Sequence, residues 1–306
     1  MTDPSELVLA GSFAAALGIF VISTIARIFL AKTREAGALL DSKILDEIPW
    51  DQTTSDLPLA SAVPGVGGVP VWFYRPADLA GGGCVFMVFA GLYLASLGAD
   101  EGPAVLDWRI LLVNIGLQFF IAGVVMVFAM SRMDLSRWLG LRWPSWRWVY
   151  LIAPGAVVFM WSLFAGLEMV GYLRWMDSLG VETVQDTVKL LQESWDPLVL
   201  GLMAIAAVIA APVCEEIVFR GYFYPVLKRF AGAWPAAICS SLVFAAAHGN
   251  LSALLPLFLF GCLLVFIYEK TGSIWAPMAV HFCFNSATVL VQFFARFYDF
   301  PLPPAP

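Results

Sequence analysis

Charged side chains are scarce in this chain, 13% of 306 residues against the ~25% of an ordinary soluble domain. With 60% of the residues hydrophobic and a mean hydropathy of +0.82, that scarcity excludes a soluble globular protein. Positive charge is in the minority, with a net charge of −6 and a pI near 4.9, which argues against nucleic acid as a partner. The five cysteines, Cys84, Cys214, Cys239, Cys262 and Cys283, have no CxxC spacing and mostly sit inside apolar runs, so they read as packing residues. No internal repeat of fixed period is present. The first apolar run lacks a basic flank before it and a small-residue cleavage site after it, so no cleavable signal peptide is expected.

What the chain has instead is a series of long apolar runs, each near the ~20 residues a membrane helix needs. They fall at about Leu7 to Leu30, Cys84 to Leu97, Ile110 to Met130, Trp148 to Tyr172, Leu198 to Phe219, Trp234 to His248, Leu251 to Tyr268 and Ile274 to Phe294. The expected fold is an all-α polytopic membrane bundle of about eight transmembrane helices. The second and sixth runs are short. Lys32 and Arg34, then Arg132, Arg137, Arg142 and Arg147, then Lys228 and Arg229, then Lys270 fall in alternate loops. By the bias of basic loops toward the cytoplasm, both termini are expected outside a plasma (inner) membrane.

Three regions follow from this pattern. Residues 1–197 hold four spans and a cytoplasmic linker at about 31–83, with a Pro64-Gly65-Val66-Gly67-Gly68 patch and one short helix expected near Leu39 to Leu45. Val184, Val188 and Leu191 fall at i, i+4 and i+7 and predict a short amphipathic helix on the outer face. Residues 198–296 hold the last four spans. Residues 297–306, ending Pro301-Leu302-Pro303-Pro304-Ala305-Pro306, are expected to be disordered.

The last four spans carry Glu215, Glu216, Arg220, His248, His281 and Asn285, including both histidines of the chain. The first four carry almost no ionisable group besides Arg27, near a membrane end, and Glu168. A charge near the bilayer centre costs about 2.5–3.5 kcal/mol on insertion scales, so residues of this kind are candidates for function. Glu216 and Arg220 are one turn apart and can pair. Glu215 lies about 100° around the helix and points elsewhere. His281 and Asn285 share a helix face. Pro212 and Pro277, each about one turn before polar residues, free backbone carbonyls and kink their helices. Ser240, Ser241 and Ala245 to Ala247 let the His248 helix approach its neighbours closely. Glu269 and Lys270 read as interfacial.

Glu-Glu-x-x-x-Arg (Glu215, Glu216, Arg220), Phe-x-x-x-His (Phe244, His248) and His-x-x-x-Asn (His281, Asn285), with Gly221 and the Thr271-Gly272-Ser273-Ile274-Trp275 turn, resemble the CAAX prenyl protease and bacteriocin-processing family of intramembrane endopeptidases. The resemblance covers about Leu198 to Phe294. It implies that Glu215 is the general base for a water also held by His248, that His281 and Asn285 stabilise the oxyanion, and that Glu216 and Arg220 orient Glu215. The implied substrate is a membrane-associated protein or peptide.

Zn²⁺ held by Glu215, His248 and His281 is one option, but no His-Glu-x-x-His pair marks a metal site, and a metal-free site is the other. A non-catalytic protein that binds peptides, such as an immunity protein or scaffold, and a proton-coupled transporter stay open as alternatives. One conflict remains in the boundaries. A span ending at Phe219 puts Glu215 near a membrane end, while His248 lies about 20 Å deep. Either Leu198 starts its helix further out, or the stretch from Phe223 to Trp234 dips into the membrane.

Overall fold

The structure, a computed structural model, describes residues 4–37, 69, 76–97, 107–130, 135–181, 183, 188, 191 and 194–295. Among the described residues every regular element is helical. α1 (Pro4–Gly37), α2 (Pro76–Ser96), α3 (Trp108–Met130) and the short α4 (Leu135–Trp138) are followed by a 3₁₀ turn that leads into α5 (Val149–Met169). After the short α6 (Tyr172–Ser178) come α7 (Pro197–Ala231), α8 (Ala233–Ala246), α9 (Leu251–Thr271) and α10 (Trp275–Ala295). Seven of these, α1, α2, α3, α5, α7, α9 and α10, are long and apolar enough to cross a membrane. The chain is therefore an integral, multi-pass membrane protein with an all-α bundle. α8, with 14 residues, is the shorter exception. It rises about 21 Å, less than the ~30 Å hydrocarbon core.

Large apolar side chains such as Ile22, Val113 and Leu151 stand exposed on the spans, where lipid replaces the protein neighbours a soluble core would supply. α9 is the most enclosed of the seven spans, with Phe260, Leu264 and Tyr268 among its buried residues. α8 packs against α9 and α1, and α10 packs against α5. The approach of α8 to α9 depends on small residues, as expected. A Cβ on Gly261 would lie 2.9 Å from Ser241 Cβ and 3.1 Å from its backbone Cα.

The boundary conflict resolves at α7, which does not end at Phe219 but continues to Ala231, 35 residues in all. Glu215 is thus near the middle of its helix, about 24 Å from the Ala231 end. α8 climbs back about the same distance, so His248 just past its end returns to the level of Glu215. α2 likewise starts at Pro76, so residues 76–83 belong to a span rather than to the linker. Gly81 serves packing there, since a Cβ on it would lie 2.2 Å from Tyr222 Oη. The expected helix near Leu39 to Leu45, the Pro64 to Gly68 patch, Val184 and the tail 297–306 lie outside the described residues. Leu191 of the expected amphipathic stretch is buried with Leu111, Val199 and Met203.

Local chemistry sets the helix starts. Asp196 accepts the Leu198 N–H at 2.8 Å, with Pro197 at the first helical position of α7. Asn250 caps α9 through the Ala253 N–H at 2.9 Å. The turn before α10 is held from outside, by Ile274 N–H to Leu139 O at 3.0 Å and Trp275 Nε1–H to Leu141 O at 3.1 Å. Gly140 permits this contact, because its φ is +62° and a Cβ there would lie 2.0 Å from Gly272 O.

Candidate active site

α7 is not a uniform α-helix. It widens into π-turns at Ala206–Ala210 and again at Glu216–Phe223, on either side of Glu215. Such bulges cluster at functional sites because they leave carbonyls without their usual partners and turn side chains to new directions. At the first one the Ala211 N–H bonds the carbonyl five residues back, at Ala206. In the same register residue 212 would bond Ala207, but Pro212 has no N–H. The Ala207 carbonyl is taken instead by Asn285 Nδ2 of α10, at 2.7 Å. Pro212 thus frees a carbonyl as expected. Pro277 does not, since it lies in the first turn of α10, where an N–H has no intrahelical partner to lose.

The second π-turn opens on Glu216. Glu216 and Arg220 are both fully buried, and Arg220 Nη1 donates to Glu216 Oε1 at 3.0 Å. Arg220 Nη2 donates to the Gly261 carbonyl of α9 at 3.2 Å, and the guanidinium carbon stands 4.5 Å from the centre of the Phe244 ring. The pair expected from the four-residue spacing is therefore formed and tied to two further helices.

The two histidines are oriented in the same way. His248 Nδ1 lies 2.8 Å from the Phe244 carbonyl, which can only accept, so Nδ1 carries the proton and Nε2 keeps its lone pair. His281 Nδ1 lies 2.9 Å from Glu216 Oε1, the oxygen that also accepts from Arg220. This leaves His281 Nε2 to face Glu215, 4.0 Å from Oε2. Glu215 Oε2 is buried and makes no hydrogen bond to another side chain or to the backbone. Its side chain keeps 22% of its exposure, while those of Glu216 and Arg220 keep none, so Glu215 is the carboxylate that can reach another molecule.

Phe244 joins the parts. Its ring meets His248 at 5.0 Å and His281 at 6.1 Å between centroids, and Phe219 of α7 at 5.4 Å. All six candidate residues are thus brought to one region among α7, α8, α9 and α10. A metal is a different matter. Among the described residues no three His, Cys, Asp or Glu side chains are gathered closely enough to hold an ion, so Glu215, His248 and His281 do not form a ligand set in this arrangement.

Reasoning from the sequence missed the continuation of the polar stripe. Glu216, Arg220, Tyr224 and Lys228 recur every four residues along α7, and all are buried. Lys228 Nζ pairs with Glu269 Oε1 at 2.5 Å, and Tyr224 Oη donates to the same oxygen at 2.6 Å. Lys228 also donates to the Val69 carbonyl at 3.0 Å, while the Val69 N–H donates to Glu269 Oε2 at 3.3 Å. Glu269, expected at the interface, lies in the last turn of α9 and also clamps a residue of the linker. The four-residue spacing was the available signal.

Residues 197–287 match the family model of the type II CAAX prenyl endopeptidase Rce1-like proteins. Over 91 residues the chain is 33% identical to the "Putative membrane peptidase YdiL" of Bacillus subtilis (strain 168), a match covering 30% of this chain and 37% of that protein. It is 26% identical over 205 residues to the "Uncharacterized 24.3 kDa protein" of Escherichia coli, covering 64% of this chain and 92% of that one. No solved structure matches the chain significantly.

Proposed function

We propose that this membrane protein, whose residues 197–287 carry an Rce1-like domain, is an endopeptidase that hydrolyses a peptide bond of a membrane-associated protein or peptide with water activated by Glu215. One observation carries the reading. Both imidazoles commit Nδ1 to fixed acceptors, and His281 turns its Nε2 toward a buried carboxylate oxygen without a partner.

A water between Glu215 and His248 gives one hydrogen to the carboxylate and the other to His248 Nε2, leaving its oxygen lone pairs directed at the substrate. Glu215 takes the proton as the oxygen attacks the scissile carbonyl. The resulting oxyanion is met by the second N–H of Asn285 and by His281. His281 already donates from Nδ1, so it offers a second N–H only as imidazolium. Before the attack Glu215 and Glu216 together with Arg220 balance that charge, and once Glu215 is protonated the oxyanion replaces its charge. Each such donor in a dry site contributes about 2.7–4 kcal/mol. Collapse of the intermediate breaks the C–N bond, and Glu215 passes its proton to the leaving amine. Water and peptide become a carboxylic acid and an amine.

Comparison of membrane-protein termini in cells carrying the wild type or Glu215→Gln, with and without a chelator, tests this reading. New termini present only with the wild type are expected. A peptide that the wild type holds uncut would instead make this a binding protein.

A further inference from the structure

α3 carries two amides inside the membrane. Asn114 lies about 9 Å and Gln118 about 15 Å along a helix that rises about 33 Å, so Gln118 is close to the middle of the span and Asn114 one turn before it. Gln118 Nε2 donates to Asn114 Oδ1 at 2.7 Å on the exposed side of the helix. Among the described residues neither amide makes a further hydrogen bond, and Gln118 Oε1 is buried without a partner. An amide offers two N–H groups and an oxygen with two lone pairs. Asn114 is exposed, so it presents both N–H groups of Nδ2 and one lone pair of Oδ1 to lipid tails, which can neither donate nor accept. Ser162, also exposed on a span, differs, because its hydroxyl donates to the Val158 carbonyl of its own helix at 2.8 Å.

One face of α3 is taken and the other is open. Leu111, Ala122, Val125 and Ala129 are buried, and the helix packs along α7 across both of its π-turns. Ile110, Val113, Asn114 and Leu117, at i, i+3, i+4 and i+7, form an exposed stripe, in which Val113 keeps 71% of its surface. α3 is the least enclosed of the seven spans. Gly116, beside the stripe, has open space where a Cβ would stand, so a second helix can approach closely.

We infer that two copies of this chain associate through this stripe, α3 against α3, with the Asn114 amides bonded to each other across a two-fold axis along the membrane normal. Depth and chemistry both favour a second copy as the occupant. Two copies inserted the same way carry Asn114 at the same level of the bilayer, a match that an unrelated helix has no reason to provide. The amide is also self-complementary. The N–H of each Asn114 meets the Oδ1 of the other, so one symmetric contact satisfies a donor and an acceptor on both sides. A single asparagine in an apolar helix face fixes register and strand number in paired helices by the same means. Gln118 holds the other lone pair of Oδ1 and so orients the amide. No residue of the candidate active site lies on α3, and the inference does not depend on the endopeptidase reading.

Full-length protein with a C-terminal fluorescent tag, reconstituted in liposomes at a series of protein-to-lipid ratios and counted by photobleaching steps, tests it. The wild type is expected to pass from single steps to double steps as the ratio rises, and Asn114→Leu to need a ratio about tenfold or more higher. Single steps for the wild type at every ratio, or equal pairing by the two proteins, overturn the inference. A second measurement needs no loss of the amide. Benzoylphenylalanine at Val113 or Leu117, irradiated in membranes of the expressing cell, should give a band of twice the chain mass whose crosslinked peptide comes from α3. Ile22, exposed on α1, is the control position and should give none. An equal band from Ile22, or crosslinks from Val113 and Leu117 only to lipid or to a different protein, overturn pairing through α3.

Discussion

Replacing Arg220 by methionine probes the ion pair on which the site is built. The guanidinium supplies Glu216 Oε1 with an N–H at 3.0 Å, supplies Gly261 O with another at 3.2 Å, and stands 4.5 Å from the Phe244 ring centre. Both partners are fully buried, so solvent screens little of their attraction. Methionine keeps much of the stem that packs between α7 and α9, but it leaves Glu216 as a buried carboxylate with His281 as its remaining donor. Removing one partner of a buried pair costs about 3–5 kcal/mol, because the other charge is left uncompensated. Removing both does not. Arg220→Met combined with Glu216→Leu is expected to return to within about 1 kcal/mol of the wild type, since apolar packing replaces a desolvated pair. Activity stays lost in the double variant, because His281 no longer has the acceptor that fixes its ring. Unfolding in mixed SDS and mild-detergent micelles, followed by tryptophan fluorescence, measures both stabilities. A single variant within about 1 kcal/mol of the wild type, or a double variant no more stable than the single, would refute the reasoning.

Asn285→Ala leaves the Ala207 carbonyl without its donor and should lower stability by about 1–3 kcal/mol and kcat by about 10²–10³-fold; a stability loss with normal kcat removes Asn285 from the oxyanion site. Lys228→Met removes the donor to the Val69 carbonyl, so amide exchange in the peptide containing Val69 should speed up by about tenfold or more, and unchanged exchange would show that the clamp holds nothing. Because Glu215, His248 and His281 are not gathered as a ligand set, EDTA or phenanthroline should leave turnover within about twofold. A loss restored by added Zn²⁺ would contradict that expectation.

The spans were legible wherever an apolar run ends at a turn or a charge that water solvates. Ile110 to Met130 and Ile274 to Phe294 differ from α3 and α10 by two residues or fewer at either end. α7 was cut short because Arg220, Lys228 and Arg229 resemble a membrane exit. Arg220 and Lys228 stay inside because Gly261 O and Glu269, some 40 residues away in the chain, satisfy them. α2 was cut short because Gly81 to Gly83 resemble a loop, and only the position of Tyr222 shows why Gly81 belongs in a helix. Within the site, the contact that helical spacing alone could predict was Glu216 with Arg220. The bonds from His281 to Glu216 and from Asn285 to Ala207 depend on the π-register of α7 and on how two helices meet, and neither is written in local periodicity.

Hydrolysis in H₂¹⁸O by purified wild-type and Glu215→Gln protein is the most direct test of the central claim. With a peptide found by comparing cellular termini, the wild type should place one ¹⁸O atom in the new carboxylate. Glu215→Gln, folded to the same stability, should cleave at least about 10³-fold more slowly, as expected when an essential general base is lost. Cleavage by Glu215→Gln at the wild-type rate, or a new carboxylate without ¹⁸O, would contradict a water activated by Glu215.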